Sequence, residues 1–220
     1  MDFNNDLNMI ETLISTFTIE NGIAKVLLLR KKTDPYKGYW VLPGSILTNY
    51  ETLEDNIIDV ISDKLGTDSL YIEQSKVFSK LNRNHDNRII ACSFIGIIDS
   101  ITIKLNKDDS DRVEMEWFPI GSIPKLGYDH EEILNESINH FRKLISDVEI
   151  MRKLFPSDFT LPELQNAYEN ILNKKLDRRN FRKKFINLGL IEPTGDKSEG
   201  SNGRPAKYYS FKNTEIEEEF

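Results

Sequence analysis

Leu176-Asp177-Arg178-Arg179-Asn180-Phe181-Arg182-Lys183-Lys184-Phe185 is the stretch on which the fold of this chain turns. At helical spacing Phe181, Phe185 and Leu188 share one side, and Arg178, Arg179, Arg182 and Lys183 lie opposite, because residues three and four apart are neighbours on a helix. Asp177 can cap the start, and Gly189 ends the run. Cations packed this densely repel one another unless an anion neutralises them. A major groove accepts one α-helix, arginine pairs with guanine edges or phosphates, and an asparagine such as Asn180 pairs with adenine. The competing reading is a solvated basic face with no ligand.

The flanks favour DNA. Upstream, Thr160-Leu161-Pro162-Glu163 is a capping box with proline in the first turn. Leu164, Ala167, Tyr168 and Ile171 form the apolar face of the helix it opens. Downstream, Leu190 to Thr194 and Ala206 to Phe211 read as strands joined by the polar loop Gly195 to Pro205. Helix, turn, helix and hairpin form the later part of a winged helix. A small winged helix-turn-helix domain is therefore expected over residues 156–213, after the break at Pro156. Arg204 and Lys207 fall in its wing, placed to reach the phosphate backbone or the minor groove. Charge agrees: residues 1–155 carry 18 Lys/Arg against 25 Asp/Glu, whereas residues 156–212 carry 11 against 7. An acidic tail over 214–220 comes last, and the whole chain has a net charge of −7.

Residues 1–150 read as one α/β domain. Ile14 to Ile19 and Ile23 to Leu29 flank Asn21-Gly22, the turn of a tight hairpin. Leu53, Ile57, Val60, Ile61 and Leu65 recur at helical spacing before Gly66, a C-cap. Tyr71 to Ser79, Arg88 to Asp99 and Arg112 to Phe118 are predicted strands, and Asp129 to Phe155 is predicted to be mostly helical. Strands mixed with helices at both ends predict an α/β/α sandwich on a mixed sheet. The nearly apolar run Ile89 to Ile98 is too short to span a bilayer and suits a buried strand. The start, Met1 to Asp6, is acidic and polar, unlike a signal peptide, so a cytoplasmic protein is expected. The single cysteine, Cys92, excludes an internal disulfide and reads as a core position.

Three separated motifs carry a family resemblance. Phe159 to Gln165, Leu176 to Lys184 and Gly203-Arg204-Pro205-Ala206 together resemble the C-terminal domain of the Nudix-related transcriptional regulators. Gly38-Tyr39-Trp40-Val41-Leu42-Pro43-Gly44-Ser45 resembles the approach to a Nudix box, and Tyr128-Asp129-His130 a motif after the last strand. The resemblance implies a homodimer on palindromic operator DNA, with Arg178, Arg179, Asn180, Arg182 and Lys183 in the recognition helix and Arg204 in the wing. It also implies repression of a metabolic operon in response to ADP-ribose, another NAD-related nucleotide, or a sugar.

The box itself, G-x5-E-x7-R-E-U-x-E-E-x-G-U, is degenerate here. With its final glycine at Gly66, the first glycine becomes Ser45, the first glutamate is Glu51, and the arginine becomes Asp59. The three helical glutamates become Val60, Asp63 and Lys64. Diphosphate hydrolysis needs a carboxylate cluster to hold magnesium. Valine donates nothing, and lysine puts positive charge where the cation belongs. No catalytic residue, resident metal or cofactor is therefore expected, although Asp59 and Asp63, at i and i+4, could hold a weak cation. A pocket that does not cleave can still bind. Arg30, Trp40, Lys64, Arg83 and Arg88 are the expected effector contacts, with Lys64 drawing a phosphate and Trp40 or Tyr39 stacking on a ring. His85, His130 and His140 lack metal-ligand spacing, and His130 is expected to be structural, with Asp129, at a helix start. Two rival readings are an active Nudix pyrophosphatase with an accessory DNA-binding domain, and a ligand-independent DNA-binding or scaffold protein.

Overall fold

The computed structural model describes residues 8–67, 70–84, 87–102, 114–155, 158–197 and 206–212. The first hairpin pairs β1 (Met9–Glu20) with β2 (Ile23–Arg30) around Asn21-Gly22, both at positive φ. β3 (Trp40–Val41) and β4 (Gly44–Ile46) come next, then α1 (Leu53–Leu65), β5 (Tyr71–Phe78), β6 (Ile89–Ile97) and β7 (Met115–Pro119). β1 runs parallel to β6 and antiparallel to β2 and β4, giving a mixed sheet in the order β3-β2-β1-β6-β5, with β7 on β2.

Alternation along these strands builds two cores, because successive side chains point to opposite faces. Leu13, Phe17, Val26, Leu28 and Ile95 face one side, where Phe17 stacks on Phe141 of α2 (His130–Leu144) at 4.4 Å. Ile14, Leu27, Phe94 and Ile98 face the other, against Ile57, Ile61 and Leu65 of α1. The expected α/β/α sandwich is thus the observed one. Cys92 is buried in the second core, and burial pushes its thiol pKa up.

The stretch from Asp129 to Phe155, expected to be mostly helical, holds two helices. Asp147 accepts from the Glu149 amide and starts α3 (Val148–Leu154) after α2 has ended at Leu144. Then come β8 (Phe159–Thr160), α4 (Leu161–Leu172), α5 (Arg178–Asn187), β9 (Ile191–Lys197) and β10 (Lys207–Phe211). β8 and β9 flank β10 in a small second sheet. Helix, strand, two helices and two strands complete a winged helix, with α3 as its first helix. The capping box at α4 forms as expected, Thr160 Oγ1 accepting from the Glu163 amide and Glu163 accepting from the Thr160 amide at 2.7 Å.

Two expectations change. β9 continues through Gly195 to Lys197, so the predicted loop starts later. Leu188 does not pack beside Phe181 and Phe185; it is 61 % exposed, because α5 ends at Asn187 and Gly189, at φ +64°, turns the chain away. The wing residue Arg204, His85 and the acidic tail lie outside the described residues.

One hydrophobic core runs from Leu13 through Phe141, Leu154 and Phe159 to Phe211, crossing from the sandwich into the winged helix without a break. Phe159 lies between Phe155, at 5.2 Å, and Phe211, at 4.9 Å. A shared core makes the two parts unfold together. Calorimetry should therefore give one transition, and Phe159→Ala should lower the stability of the whole chain by about 3–5 kcal/mol rather than melt the winged helix separately.

Candidate functional site

The recognition-type helix is held by its back. Tyr168 of α4 meets Phe181 and Phe185 edge-on, each with ring centres at 5.5 Å, and those two phenyl rings lie 4.7 Å apart. The turn before α5 is organised by Glu169, whose carboxylate accepts from Lys175, from the Leu176 amide at 2.9 Å, and from Gln165. Those donors, the Lys175 ammonium first, hold its pKa down to about 2. Asp177 then caps α5 through the Asn180 amide at 2.8 Å. With its apolar edge buried, the helix turns Arg178, Arg179, Asn180, Arg182, Lys183 and Lys184 to solvent, all exposed. None of the five cations has a side-chain partner among the described residues. Lys207, at the start of β10, is exposed on the wing.

The second feature is a cleft of about 530 Å³ in the sandwich. β1 and β2 pair only from Phe17 and Val26 to the hairpin; beyond that they separate, and the Trp40–Ile46 segment enters between them. The Ile14 amide accordingly donates to the Pro43 carbonyl at 2.9 Å, not to β2. Gly44 is required there, since a Cβ would lie 2.2 Å from the Thr12 carbonyl oxygen. The gap is lined by Glu11 and Leu13 on one side, by Arg30, Lys31 and Lys32 on the other, and by Arg83, Tyr128 and His130 at its base and rim.

Charge in this cleft is unevenly committed. Arg83, with only 3 % of its side chain exposed, makes two 3.0 Å bonds to the carboxylate of Asp129 and a third, also 3.0 Å, to Glu11. Burial pushes the Glu11 pKa up, against the opposing pull of Arg83. His130 accepts the Leu42 amide on Nδ1 at 2.9 Å, which places its proton on Nε2 and makes it structural, as the sequence led us to expect. Its complete burial, helped by the charges of Arg83 and Lys31, lowers its pKa to about 3. Arg30, by contrast, stays at the exposed rim, paired with Glu114 at 3.2 Å. Lys31 lies 5.7 Å from the centre of the Tyr128 ring.

Tyr36 and Tyr128 both have positive φ, 68° and 54°, an unusual conformation for side chains of this size. Their rings meet at 4.6 Å, and Tyr128 lies 5.4 Å from His130. Sequence reasoning missed this pair; nothing local in Tyr36 or Tyr128 signals a left-handed backbone.

Of the five expected effector contacts, the structure brings Arg30 and Arg83 to this cleft and puts the other three elsewhere. Trp40 packs edge-on against Phe118 at 4.7 Å. Arg88 donates to the carbonyls of Ser79 and Lys80, clipping a loop to its strand. Lys64 pairs with the neighbouring Asp63 on α1, outside the cleft lining. α1 ends at Gly66, φ +66°, the C-cap expected from the sequence. Its Asp59 and Asp63 are exposed, and Glu51 accepts from the Thr48 amide at 2.7 Å, which lowers its pKa. The box region meets the sheet instead through Asn56, a buried residue missed from sequence, which accepts from Ser45 Oγ at 2.9 Å and from Thr12. Among the described residues no group of three or more histidines, cysteines or carboxylates could hold a metal, and no helix is long and apolar enough to cross a membrane.

A Nudix-like sandwich carrying a C-terminal winged helix with an exposed basic face defines the class. Residues 151–211 match the NrtR DNA-binding winged helix domain. The chain is 28 % identical over 202 residues to the ADPR responsive transcriptional repressor NtrR of Acinetobacter baylyi, covering 90 % of this chain and 80 % of that one. It is 32 % identical over 112 residues to an ADP-ribose pyrophosphatase of Methanocaldococcus jannaschii, covering 51 % of this chain and 64 % of that one. The crystal structure of Shewanella oneidensis NrtR complexed with a 27mer DNA superposes with a TM-score of 0.74 at 24 % identity, covering 92 % of this chain and 93 % of that one, a likeness of fold. Residues 151–211 thus form a winged helix of the NrtR type, and the chain as a whole is similar to Nudix-related regulators that carry one at the C-terminus.

Two measurements check the cleft. Arg83→Leu strands two carboxylates around a nonpolar side chain, so it should cost about 3–5 kcal/mol in urea unfolding near neutral pH. For His130, the unfolded imidazole takes up a proton below about 6.5 while the folded one stays neutral to about 3. The unfolded state then binds more protons in that window, and stability falls as pH drops, by up to about 1.4 kcal/mol per unit. His130→Gln keeps an acceptor for the Leu42 amide without titrating, so its urea midpoint should fall less steeply from pH 6.5 to 4 than that of the parent chain.

Proposed function

We propose that this chain is a homodimeric repressor of a metabolic operon that binds operator DNA through α5 and its wing and responds to ADP-ribose. The observation that carries the reading is the row of exposed cations on α5, unpartnered among the described residues, on a helix whose back is fixed by aromatic packing. Density of positive charge without internal anions has a simple complement in a phosphate backbone. Arg178, Arg179 and Asn180, nearest the helix start, are assigned to base edges and adjacent phosphates; Arg182, Lys183, Arg204 and Lys207 are assigned to phosphates. Two such helices, one per protomer, would occupy half-sites about 34 Å apart.

ADP-ribose is favoured because the NtrR repressor, whose name carries that response, is similar over 90 % of this chain. The cleft has the matching chemistry. Arg30, Lys31 and Lys32 supply positive charge for a diphosphate, and the Tyr128 ring offers a stacking surface for a base or sugar. Arg83 is assigned to shaping the cleft through Asp129 and Glu11, and Trp40, Lys64 and Arg88 to supporting roles away from the ligand. Binding without hydrolysis is supported by Val60 and Lys64 at box positions that need carboxylates, and by the pairing of Lys64 with Asp63. The rival reading, a pyrophosphatase, draws on the likeness to the Methanocaldococcus jannaschii enzyme. It predicts magnesium-dependent turnover of ADP-ribose, which the present reading does not.

Gel-shift with the chain's own upstream region, with and without ADP-ribose, tests the whole proposal. Arg179→Ala and Arg182→Ala should each weaken binding by about 1–3 kcal/mol and leave thermal stability unchanged. If Arg182 meets a phosphate, the slope of log K against log salt should also drop by about one in Arg182→Ala. Unchanged affinity in both variants would remove α5 as the DNA-reading element.

A further inference from the structure

The winged helix is latched to the sandwich by the far end of the same strand that borders the cleft. At one end of β2, Leu29 and Arg30 line the cleft. At the other, the Ala24 amide donates to Asn170 Oδ1 of α4 at 3.1 Å, while its carbonyl accepts from the Ile120 amide at 3.0 Å. The hairpin tip fits closely against the same helix, since a Cβ on Gly22 would lie 3.1 Å from both Asn166 Cβ and the Glu163 carbonyl oxygen. Two further bonds tie α4 to the end of the sandwich: Arg142 Nε donates to the Ile171 carbonyl at 2.8 Å, and Tyr168 Oη to the Ile145 carbonyl at 3.2 Å.

β2 is well suited to carry a displacement. It is bonded to β1 at Ile23–Val26 and to β3 at Leu29 and Arg30 on one side, and to β7 from Lys25 to Leu29 on the other, so it is braced as a rod of about 20 Å between Ala24 and Arg30. Beyond Asn170, the path reaches the DNA-reading helix through Tyr168 and the rings of Phe181 and Phe185. Here a buried backbone donor at a domain junction is satisfied by one side chain from the other domain.

We infer that Asn170 is the positioning residue that makes α4 and α5 follow β2 when the cleft is occupied, so that sensor and DNA reader turn as one unit within a protomer. This rests on the proposed ADP-ribose response. Asn170→Leu removes the acceptor at similar volume, and Asn170→Asp retains one. Affinity for a labelled duplex from the chain's upstream region is measured with and without ADP-ribose, together with amide exchange at Ala24. The wild-type chain and Asn170→Asp should show a shift in DNA affinity of about tenfold on adding ADP-ribose, and Asn170→Leu a shift below about twofold with its ligand-free DNA affinity retained. Ala24 should exchange slowly in the first two and fast in Asn170→Leu. A full shift in Asn170→Leu despite fast exchange at Ala24 would overturn the inference, as would slow exchange there. Absence of any shift in the wild-type chain would instead remove the ADP-ribose reading. The latch is then judged by exchange alone, faster exchange at Ala24 and across α5 in Asn170→Leu supporting it and unchanged exchange overturning it.

Discussion

β1 and β2 cannot remain hydrogen-bonded along their full length, because the segment from Trp40 to Ile46 enters between them. That separation shapes both ends of the sandwich. It opens the cleft where Glu11 and Arg30 face each other across a gap, and it demands glycine at position 44, where backbone crosses backbone. It also leaves the hairpin end of the same strands intact, so β2 stays rigid at Ala24 while bordering a cavity at Arg30. A single strand thereby borders the cleft at one end and meets α4 of the winged helix at the other.

Electrostatics divides the molecule in a complementary way. Inside the sandwich, charge is neutralised: Arg83 is spent on Asp129 and Glu11, and His130 is kept uncharged by burial. Buried charge without a partner is costly, so these groups are tied to one another and shape the cleft. On α5 the opposite holds. Its cations project into water, where the cost of leaving them unpaired is small, and they remain available for an external polyanion. The guanidinium of Arg83 is thus committed to the protein's own carboxylates, whereas those of Arg178, Arg179 and Arg182 face solvent.

The continuous core bears on how a change at the cleft is transmitted. Phe155, Phe159 and Phe211 pack between the sandwich and the winged helix, and Asn170 satisfies a strand amide across the junction. Packed cores are not continuously deformable. A change at the cleft is thus more readily expressed as a movement of the whole chain than as a hinge between its two parts.

Much of this was legible in the chain. Asn21-Gly22, the Leu53 to Leu65 periodicity with Gly66, the Thr160 capping box and the basic face of α5 are local patterns, set by turn geometry, caps and a 3.6-residue repeat. The sequence by itself therefore determined the two-part architecture, the helix caps and the exposed basic face of α5. Only the tertiary structure decided which polar residues meet. Arg83 and Asp129 are 46 positions apart, Ala24 and Asn170 are 146 apart, and Tyr36 reaches Tyr128 through two left-handed residues. Whether an arginine binds a ligand or its own protein depends on neighbours brought from distant strands. No periodicity in the chain encodes that.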